Sequence, residues 1–261
     1  MKKWILYLLI LCSALVLGAC ANKDSRIAQI RARNNGAGEL RVGVKVDVPN
    51  FGYLNPESGE LEGLEIDIAR EMAQQLVGKR DAVRFVPTTG MAKETLLANG
   101  EADLIIGTYT ITDERKKVVN FSRPYYVDEI GFLVMDGAEI HEIADFAGKT
   151  IGVTRASTAF STFDQHPEIL GDGFILQGFT SYPEIQDALI NGAIDIFSAD
   201  KSILSGYQSE YTAILEAGVQ PQPYGIGSVF SDKAFAEEVD KLLGKMIEDG
   251  TLDAILEKWL K

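Results

Sequence analysis

The sequence predicts a mixed α/β protein made of two similar lobes, and two observations support this fold class. First, short apolar runs of strand length alternate with helical patterns along the chain, which is the order typical of a parallel sheet covered by helices. Second, this alternation restarts in the second half, where a helix, an Asn-Gly turn and a strand recur in the same order. A chain of 261 residues is long enough for two modest domains.

Apolar spacing and turn residues predict the elements of the first lobe. An i, i+4 stripe of Leu64, Ile68, Met72 and Leu76 predicts a helix that ends at Gly78. Apolar runs predict strands at 40–44, 83–86 and 103–107, and a second helical pattern covers 91–98. These elements follow one another in the βαβα order.

An internal repeat relates the two halves of the chain. Residues 94–105 match residues 186–197, and each copy contains an Asn-Gly turn between a helix and a strand. Residues 41–44 similarly match residues 150–153. Chance similarity is the alternative, because βα units share a common local pattern. A true repeat predicts two related lobes rather than one barrel.

Two chain crossings are predicted between the lobes. Residues 129–135 form a linking strand, and the Gln-Pro-Gln-Pro stretch at 220–223 suggests a return crossing. We therefore expect a two-strand hinge. Lobe 1 is predicted to comprise 39–127 plus 222–261, and lobe 2 to comprise 128–221. Amphipathic helices within 232–258 would close lobe 1.

The N-terminus has the pattern of a lipoprotein signal. Two lysines precede an apolar run at 4–18, which is too short for a comfortable membrane span. The run ends in Leu-Gly-Ala-Cys20, which resembles the lipobox of bacterial lipoproteins. We expect residues 1–19 to be a signal peptide, Cys20 to carry the lipid anchor, and 20–38 to be a tether. An ordinary cleaved signal peptide with a chance cysteine is the alternative.

The composition excludes several classes of partner. Without the signal peptide, 23 basic residues face 38 acidic ones, a net charge of −15. This charge argues against binding of nucleic acid or anionic lipid. With two widely separated histidines and no Cys/His cluster, we expect neither a metal site nor a cofactor.

Charged and hydroxyl side chains follow the predicted strands, where ligands bind in open α/β sheets. Arg115 lies beyond the 103–107 strand of lobe 1, and Asp200 follows the corresponding strand of lobe 2. A guanidinium suits an α-carboxylate, and a carboxylate suits an α-ammonium. The pattern therefore favours a zwitterion, such as a free amino acid. The other candidates at strand ends are Lys45, Thr108, Tyr109, Thr110, Arg155, Ser157 and Thr158.

Several of these residues have alternative interpretations. Arg115 follows two acidic residues and could be a surface helix charge, whereas Asp200 could be the N-cap of the next helix. Lys93 could lie on an exposed helix face, and Arg155 could pair with Asp187. The sequence leaves these alternatives open.

Several segments resemble the polar amino-acid solute-binding proteins of ABC importers, family 3. The similarity runs from about residue 38 to the C-terminus, and the motifs agree in order and spacing. The matching segments are 43–49, 63–67, 110–115 and 121–126, and, for the aspartate/glutamate-binding branch, 195–204 and 222–225. The resemblance implies a two-lobed flytrap, the type II periplasmic-binding-protein fold, which closes on its ligand.

The resemblance also implies roles for individual residues. Arg115 would hold the ligand carboxylate and Asp200 the ammonium, while Lys45 and Tyr182 would attend the ligand side chain. Thr110, the Tyr109 backbone and Thr158 would complete the contacts to the α-amino-acid group. The sequence departs from the family pattern at Lys93 (an arginine in the acidic branch), at Val48 (an aromatic residue in many relatives) and at Arg155 (an uncharged polar residue).

These observations predict a receptor of the cell envelope, lipid-anchored on the outer side of the cytoplasmic membrane or periplasmic, that delivers aspartate or glutamate to an ABC permease. We expect a monomer. A receptor for glutamine, cystine or another polar amino acid is the main alternative. A more distant alternative is a dehydratase or lyase on the same fold, for which Glu129 and Asp200 would be the nearest candidate catalytic acids. A further alternative is a sensor or adhesin ectodomain.

Overall fold

The computed structural model describes residues 25–260, so the predicted signal peptide and Cys20 lie outside the described residues. The strands are β1 Leu40–Val44, β2 Asp47–Val48, β3 Gly52–Leu54, β4 Leu61–Glu62, β5 Val83–Pro87, β6 Leu104–Ile105, β7 Val119–Met135, β8 Thr150–Thr154, β9 Ile175–Phe179, β10 Ile196–Asp200, β11 Thr212–Ile214 and β12 Val219–Val229. The α-helices are α1 Arg26–Ala32, α2 Leu64–Val77, α3 Lys93–Ala98, α4 Thr158–Gln165, α5 Tyr182–Ile190, α6 Lys201–Ser205, α7 Lys233–Glu248 and α8 Thr251–Trp259. Short 3₁₀ turns lie at Asn34–Gly36, Arg115–Lys117, Ile143–Phe146 and Pro167–Ile169.

The strands form a large sheet in the order β5-β1-β6-β12-β7-β10-β8-β9, with β11 beside β7. The strands β5, β1 and β6 are parallel to one another, and so are β10, β8 and β9. The central strands β12 and β7 are antiparallel to each other and to their neighbours. Two parallel α/β units thus flank one antiparallel pair, which confirms the predicted fold class. A small separate sheet is formed by β2, β3 and β4.

The predicted crossings between the lobes fall on two long paired strands, β7 and β12. The predicted linking strand at 129–135 is the second half of β7, which begins at Val119 and pairs first with β12 and then with β10. The predicted return crossing lies within β12. Asp128 pairs with Gln222, and Val127 pairs with Pro223. The two predicted lobe boundaries therefore lie opposite each other on paired strands.

The repeat has the same structure in both lobes. Asp103 precedes β6 and Asp195 precedes β10, and each carboxylate accepts a backbone hydrogen bond from the neighbouring parallel strand, β1 or β8. The Arg41 N–H to Asp103 distance is 2.9 Å, and the Thr150 N–H to Asp195 distance is 2.7 Å. The Asn-Gly turn before each aspartate ends in a glycine with φ near +70°. Each Asp thus fixes the same two strands side by side.

The helix stripe predicted from apolar spacing forms the core of lobe 1. Helix α2 buries Ile68, Met72 and Leu76 against the sheet and ends at Gly78, which has a left-handed φ of 90°. On the same helix Asp67 accepts hydrogen bonds from Lys258 at 2.6 Å and from the Trp259 indole at 2.8 Å. This aspartate joins α2 to the C-terminal helix α8, so its role is structural.

The described part of the predicted tether is folded, which corrects the expectation for residues 25–38. Ser25 caps helix α1, and Ile30 on that helix is fully buried in the core of lobe 1. Arg33 Nη2 donates to the buried Asp103 carboxylate at 2.9 Å. The polar composition suggested a tether, but Ile30 and Arg33 attach the segment to lobe 1.

Two predicted elements are shorter than expected. The helix predicted at 91–98 begins at Lys93, and the strand predicted at 103–107 is paired over Leu104–Ile105. Met91 is thereby left in a loop that reaches the space between the lobes. No helix within residues 25–260 is long and apolar enough to span a membrane.

Candidate functional site

A cavity of about 100 Å³ lies between the lobes and brings together nearly all of the predicted site residues. Those in its lining are Lys45, Lys93, Thr108, Thr110 and Arg115 from lobe 1, and Arg155, Ser157, Thr158, Tyr182 and Asp200 from lobe 2. Tyr109 lies directly behind the lining and is almost fully buried. Side chains that were predicted from distant parts of the sequence therefore share one cavity.

Arg115 lies at the start of a 3₁₀ turn, and its guanidinium points into the cavity. Its backbone N–H donates to the Thr112 hydroxyl, while Nη1 donates to the Thr110 carbonyl at 2.8 Å. The guanidinium carbon lies 4.9 Å from the centroid of the Tyr109 ring. Nη2 reaches the Ala156 carbonyl of lobe 2 at 3.4 Å. These contacts hold the Arg115 guanidinium across the cleft. The alternative that Arg115 is an exposed surface charge is therefore wrong.

Asp200 ends β10 and occupies the N-cap position of α6, but its side chain has a different role. Among the described residues, no backbone N–H of α6 donates to this carboxylate. Instead Tyr224 donates its hydroxyl hydrogen to Oδ2. Burial raises the pKa of Asp200 to about 7, and neighbouring Asp128 adds to the increase, while the Tyr224 hydrogen bond opposes it. The carboxylate, 7% exposed, is thus available to a cation in the cavity.

Hydroxyl groups from both lobes lie near these two charges. Ser157 caps α4 by accepting a hydrogen bond from Phe160 N–H at 3.0 Å. Thr158 donates to the Gln222 side-chain oxygen at 2.6 Å, which links the cavity to the crossing strand β12. Thr108 and Ala156 both line the cavity with positive φ, 42° and 65°, which non-glycine residues rarely adopt. Backbone strain is thus found on both sides of the cleft.

Two lysines of lobe 1 are buried beside the cavity. Lys45 lies 2.9 Å from Asp47 and 5.1 Å from the centroid of the Tyr182 ring. Lys93 is 4% exposed, donates to the Thr108 carbonyl at 3.3 Å and lies over the Tyr109 ring. Burial lowers the pKa of Lys93 well below its usual value, and the cations around it lower it further. The alternative that Lys93 lies on an exposed helix face is therefore wrong.

Arg155 is the exposed cation of the site. Within residues 25–260 no carboxylate lies within 4.0 Å of its guanidinium, so the alternative pairing with Asp187 does not occur. The side chain instead lies along β9, where Gly178 leaves room for it: a Cβ there would come within 2.9 Å of Arg155 Cγ. Its charge therefore remains available at the mouth of the cavity.

Sequence reasoning missed Glu65, which is fully buried behind the cavity. Its Oε1 accepts hydrogen bonds from the Thr108 N–H and the Tyr125 hydroxyl. Its Oε2 has no hydrogen-bond partner among the described residues, and burial raises the pKa of this carboxyl. A signal was present, because Glu65 is three residues before Ile68 and lies on the apolar side of α2. An acid on that side of the helix indicates a buried polar contact.

The sequence analysis assigned no site role to Asp128, Tyr224 or Gln222, which lie on the crossing strands near Asp200 and Thr158. The second acid considered for catalysis, Glu129, does not line the cavity and pairs with Lys201. Phe51 is fully buried against Tyr126 and Tyr224, so it belongs to the core.

The charged groups in the cavity lining are mainly cationic. Its charged residues are Lys45, Lys93, Arg115, Arg155 and Asp200. Two further carboxylates, Asp47 and Glu65, stand behind the lining and face the lysines. A guanidinium and a carboxylate thus oppose each other across the cavity, and positive charge remains beside them. The arrangement can bind a zwitterion through both of its charged groups.

The fold and the site define a two-lobed binding protein of the type II periplasmic class. The chain belongs to the bacterial extracellular solute-binding proteins, family 3, whose sequence model matches residues 40–261.

Several relatives are known by name. The chain is 33% identical to the ABC transporter glutamine-binding protein GlnH of Bacillus subtilis, over 100% of this chain and 98% of that protein. It is 28% identical to the glutamate-binding protein GluB of Corynebacterium glutamicum, over 94% of this chain and 85% of that protein. Among solved structures, an ancestral amino acid-binding protein described as a precursor of cyclohexadienyl dehydratase superposes with a TM-score of 0.80 at 27% identity. That alignment covers 91% of this chain and 100% of the ancestral protein.

Proposed function

We propose that this protein is the extracytoplasmic receptor of an ABC importer and that it binds a free amino acid in the cavity between its lobes. One observation carries the proposal: Arg115 of lobe 1 and Asp200 of lobe 2 face the same cavity. A guanidinium binds an α-carboxylate through two parallel hydrogen bonds, and a buried carboxylate pairs with an α-ammonium. Both relatives reported above are named as binding proteins for amino acids rather than as enzymes.

The other lining residues would complete the contacts with the ligand. Thr110, the Tyr109 backbone and Thr158 lie beside Arg115 and Asp200, where the α-amino-acid group would bind. Thr108 and Ser157 directly precede Tyr109 and Thr158 in the sequence and line the same cavity. Binding would close the lobes about β7 and β12, because the ligand contacts both sides of the cleft. The closed receptor would then present both lobes to a permease.

For the ligand side chain we propose an acidic group, so that the ligand is aspartate or glutamate. Lys45, Lys93 and Arg155 surround the cavity, whereas the carboxylates Asp47 and Glu65 face only the two lysines. An anionic side chain would balance the remaining positive charge, and leaving cations buried without a partner is costly. Tyr182 lies beside Lys45 and would pack against the ligand side chain.

Glutamine is the second candidate, and one contact favours it. Lys45 already has an anionic neighbour in Asp47 at 2.9 Å, so a side-chain amide oxygen could accept from its ammonium without a second charge. The relative from B. subtilis is named as a glutamine-binding protein. The two candidates differ only in one side-chain group, so a direct comparison of affinities separates them.

Titration calorimetry with a panel of amino acids tests the proposal. The protein is first partly unfolded and dialysed, which removes any amino acid carried over from expression. Glutamate or aspartate should bind at least about tenfold more tightly than glutamine or asparagine, a margin of about 1.4 kcal/mol. Preferential binding of glutamine would overturn the acidic specificity alone. Absence of binding to every amino acid in the panel would overturn the receptor function.

We further propose that Cys20 carries a lipid and holds the receptor at the outer face of the cytoplasmic membrane. The support is the apolar run at 4–18 that ends in Leu-Gly-Ala-Cys. Helix α1 attaches to lobe 1 from Arg26 onward, so the residues of this helix would not be part of a tether.

A further inference from the structure

The capping of helix α6 is unusual because the side chain at its N-cap position does not perform it. Asp200 has the extended backbone typical of an N-cap residue, with φ −64° and ψ 142°. Its carboxylate, however, bonds to Tyr224. The capping acceptor is Asp128 of the crossing strand β7, whose Oδ2 accepts from Ser202 N–H at 3.0 Å and also from the Ser202 hydroxyl.

Tyr224 connects the two carboxylates. It is fully buried on the second crossing strand, β12, and its hydroxyl donates to Asp200 Oδ2. The same hydroxyl lies 3.4 Å from Asp128 Oδ2. Asp128 is itself fixed in place, since its Oδ1 accepts from the Glu129 N–H at 2.8 Å. One crossing strand therefore caps the helix, and the other holds the carboxylate that faces the cavity.

Aspartate at an N-cap position normally satisfies a free N–H of the first helical turn with its own side chain. Asp200 has the right residue type and backbone conformation for this. It does not cap here because Asp128 already occupies the Ser202 N–H. If Asp128 were absent, the N-cap side chain, Asp200, would be the usual acceptor for an N–H of this turn. Its carboxylate would then turn from the cavity towards the helix.

We propose that Asp128 and Tyr224 are positioning residues for the ammonium-binding site: Asp128 caps α6 in place of Asp200, and Tyr224 holds the released Asp200 carboxylate towards the cavity. The inference rests on the proposed function, because it takes Asp200 as the partner of the ligand ammonium. It adds two residues of the crossing strands that need not touch the ligand. The pair also ties this half of the ligand site to the strands about which the lobes move.

Calorimetry with glutamate and glutamine as probes tests this proposal in a double-mutant cycle. Asp128→Ala should weaken binding of the better probe at least about tenfold. Asp128→Asn keeps an acceptor for Ser202 N–H and should remain within about threefold of wild type. In an Asp200→Asn background, Asp128→Ala should change affinity less than about twofold, because the carboxylate that it positions is gone. Equal losses in both backgrounds would overturn the proposal.

A second variant and a control keep the test decisive. Tyr224→Phe removes one hydroxyl without changing the ring, and its effect should likewise disappear in the Asp200→Asn background. If circular dichroism shows that Asp128→Ala does not fold, Tyr224→Phe takes its place in the cycle. Glu129→Ala is the matched control, since Glu129 neighbours Asp128 and contacts α6 through Lys201 without touching Asp200. Its affinity should stay within about twofold of wild type.

If wild type binds neither probe nor any other amino acid, the proposed function fails. If wild type binds but these variants match it, only this inference fails.

Discussion

Lys45 of lobe 1 and Tyr182 of lobe 2 meet across the cleft, with the ammonium nitrogen 5.1 Å from the centroid of the tyrosine ring. Lys45 also lies 2.9 Å from Asp47. The lysine is therefore held between an anion and an aromatic face at the cavity wall. Any ligand side chain that reaches this wall must share the lysine with Asp47. Under the proposed acidic specificity, Lys45 is therefore the group that would respond to the charge of that side chain.

Replacing Lys45 by methionine should remove most of the preference for an acidic ligand. Methionine keeps the length of the side chain but loses the positive charge. We expect the roughly tenfold advantage of glutamate over glutamine to fall to about two, as measured by calorimetry with both ligands. Lys116→Met is the control, because Lys116 is exposed and does not line the cavity. An unchanged ratio in Lys45→Met would show that another group sets the specificity.

Removing either partner of the zwitterion should weaken ligand binding strongly without unfolding the protein. Arg115→Ala and Asp200→Ala each leave one ligand charge buried and unpaired. Truncation of one partner in a desolvated pair typically costs about 2–5 kcal/mol, or roughly 30- to several-thousand-fold in affinity. Lys116→Ala should bind like wild type. Near-native affinity in either cavity variant would refute the role assigned to that residue.

Ligand affinity should depend on pH through Asp200. Burial raises the pKa of Asp200 to about 7, and only its ionised form attracts the ligand ammonium. Affinity should therefore rise by up to about tenfold per pH unit below pH 7 and level off above it. Calorimetry between pH 5 and 8 measures this, and the dependence should be shallower in Asp200→Asn. A flat wild-type profile would contradict the prediction.

The same group affects stability in the opposite direction. A carboxyl with a raised pKa in the folded state binds more protons there than in the unfolded chain. Its contribution to stability is therefore present at low pH and is lost as pH rises from about 4 towards 7. Thermal unfolding of ligand-free protein should show this loss, and Asp200→Asn should lack it. A wild-type melting temperature with the same pH slope as the variant would argue against it.

Asp103→Ala should destabilise the protein strongly while leaving ligand affinity within about twofold. Asp103 is buried and accepts from Arg33, Arg41 and the Arg41 backbone. Burial alone would raise its pKa, but these hydrogen bonds outweigh burial and lower it. Its contribution is hence present at neutral pH and is lost as pH falls towards 4 and below. Removing one partner of a buried ion pair typically costs about 3–5 kcal/mol, which denaturant titration measures.

The repeat supplies a matched comparison for that variant. Asp195 makes the equivalent backbone hydrogen bond to Thr150 N–H, but no ion pair within 4.0 Å joins it to an arginine in the described chain. Asp195→Ala should cost only about 1 kcal/mol, the typical net contribution of one hydrogen bond, because this bond is only partly buried. Equal losses at Asp103 and Asp195 would mean that the arginines add nothing.

Cys20→Ser should release the receptor from the membrane without changing its ligand binding. The serine hydroxyl does not accept the lipid that the cysteine thiol would carry. Fractionation of cells followed by immunoblotting should find wild type in the membrane fraction and the variant in the soluble extracytoplasmic fraction. Labelling with a radioactive fatty acid should be seen only in wild type. A variant that remains membrane-bound and labelled would rule out the anchor.

The sequence alone was sufficient for the fold class and for half of the residues that line the cavity, including all of its charged ones. Strand and helix periodicities are local properties, so the alternation of elements could be predicted from apolar spacing. The repeat then identified equivalent strand ends, and parallel strands end at the same edge of a sheet. Arg115 and Asp200 could therefore be assigned to one cavity, although 85 sequence positions separate them.

Only the tertiary structure decided which polar groups are buried and what they contact. The polar composition of residues 20–38 suggested a tether, but Ile30 and Arg33 attach that segment to the lobe at Asp103. The pattern of α3 could not fix the exposure of Lys93, which depends on the segments that pack against it.

The capping of α6 is the clearest case. Local rules assign the cap to Asp200, because that residue directly precedes the helix. The structure gives it to Asp128, 74 residues before Ser202, because strand β7 passes beside the first turn of α6. The sequence determined which chemical groups the site contains, since residue type and strand position follow from the local sequence. The tertiary structure decided which carboxylate caps the helix and which faces the ligand, because that choice depends on a distant strand being close in space.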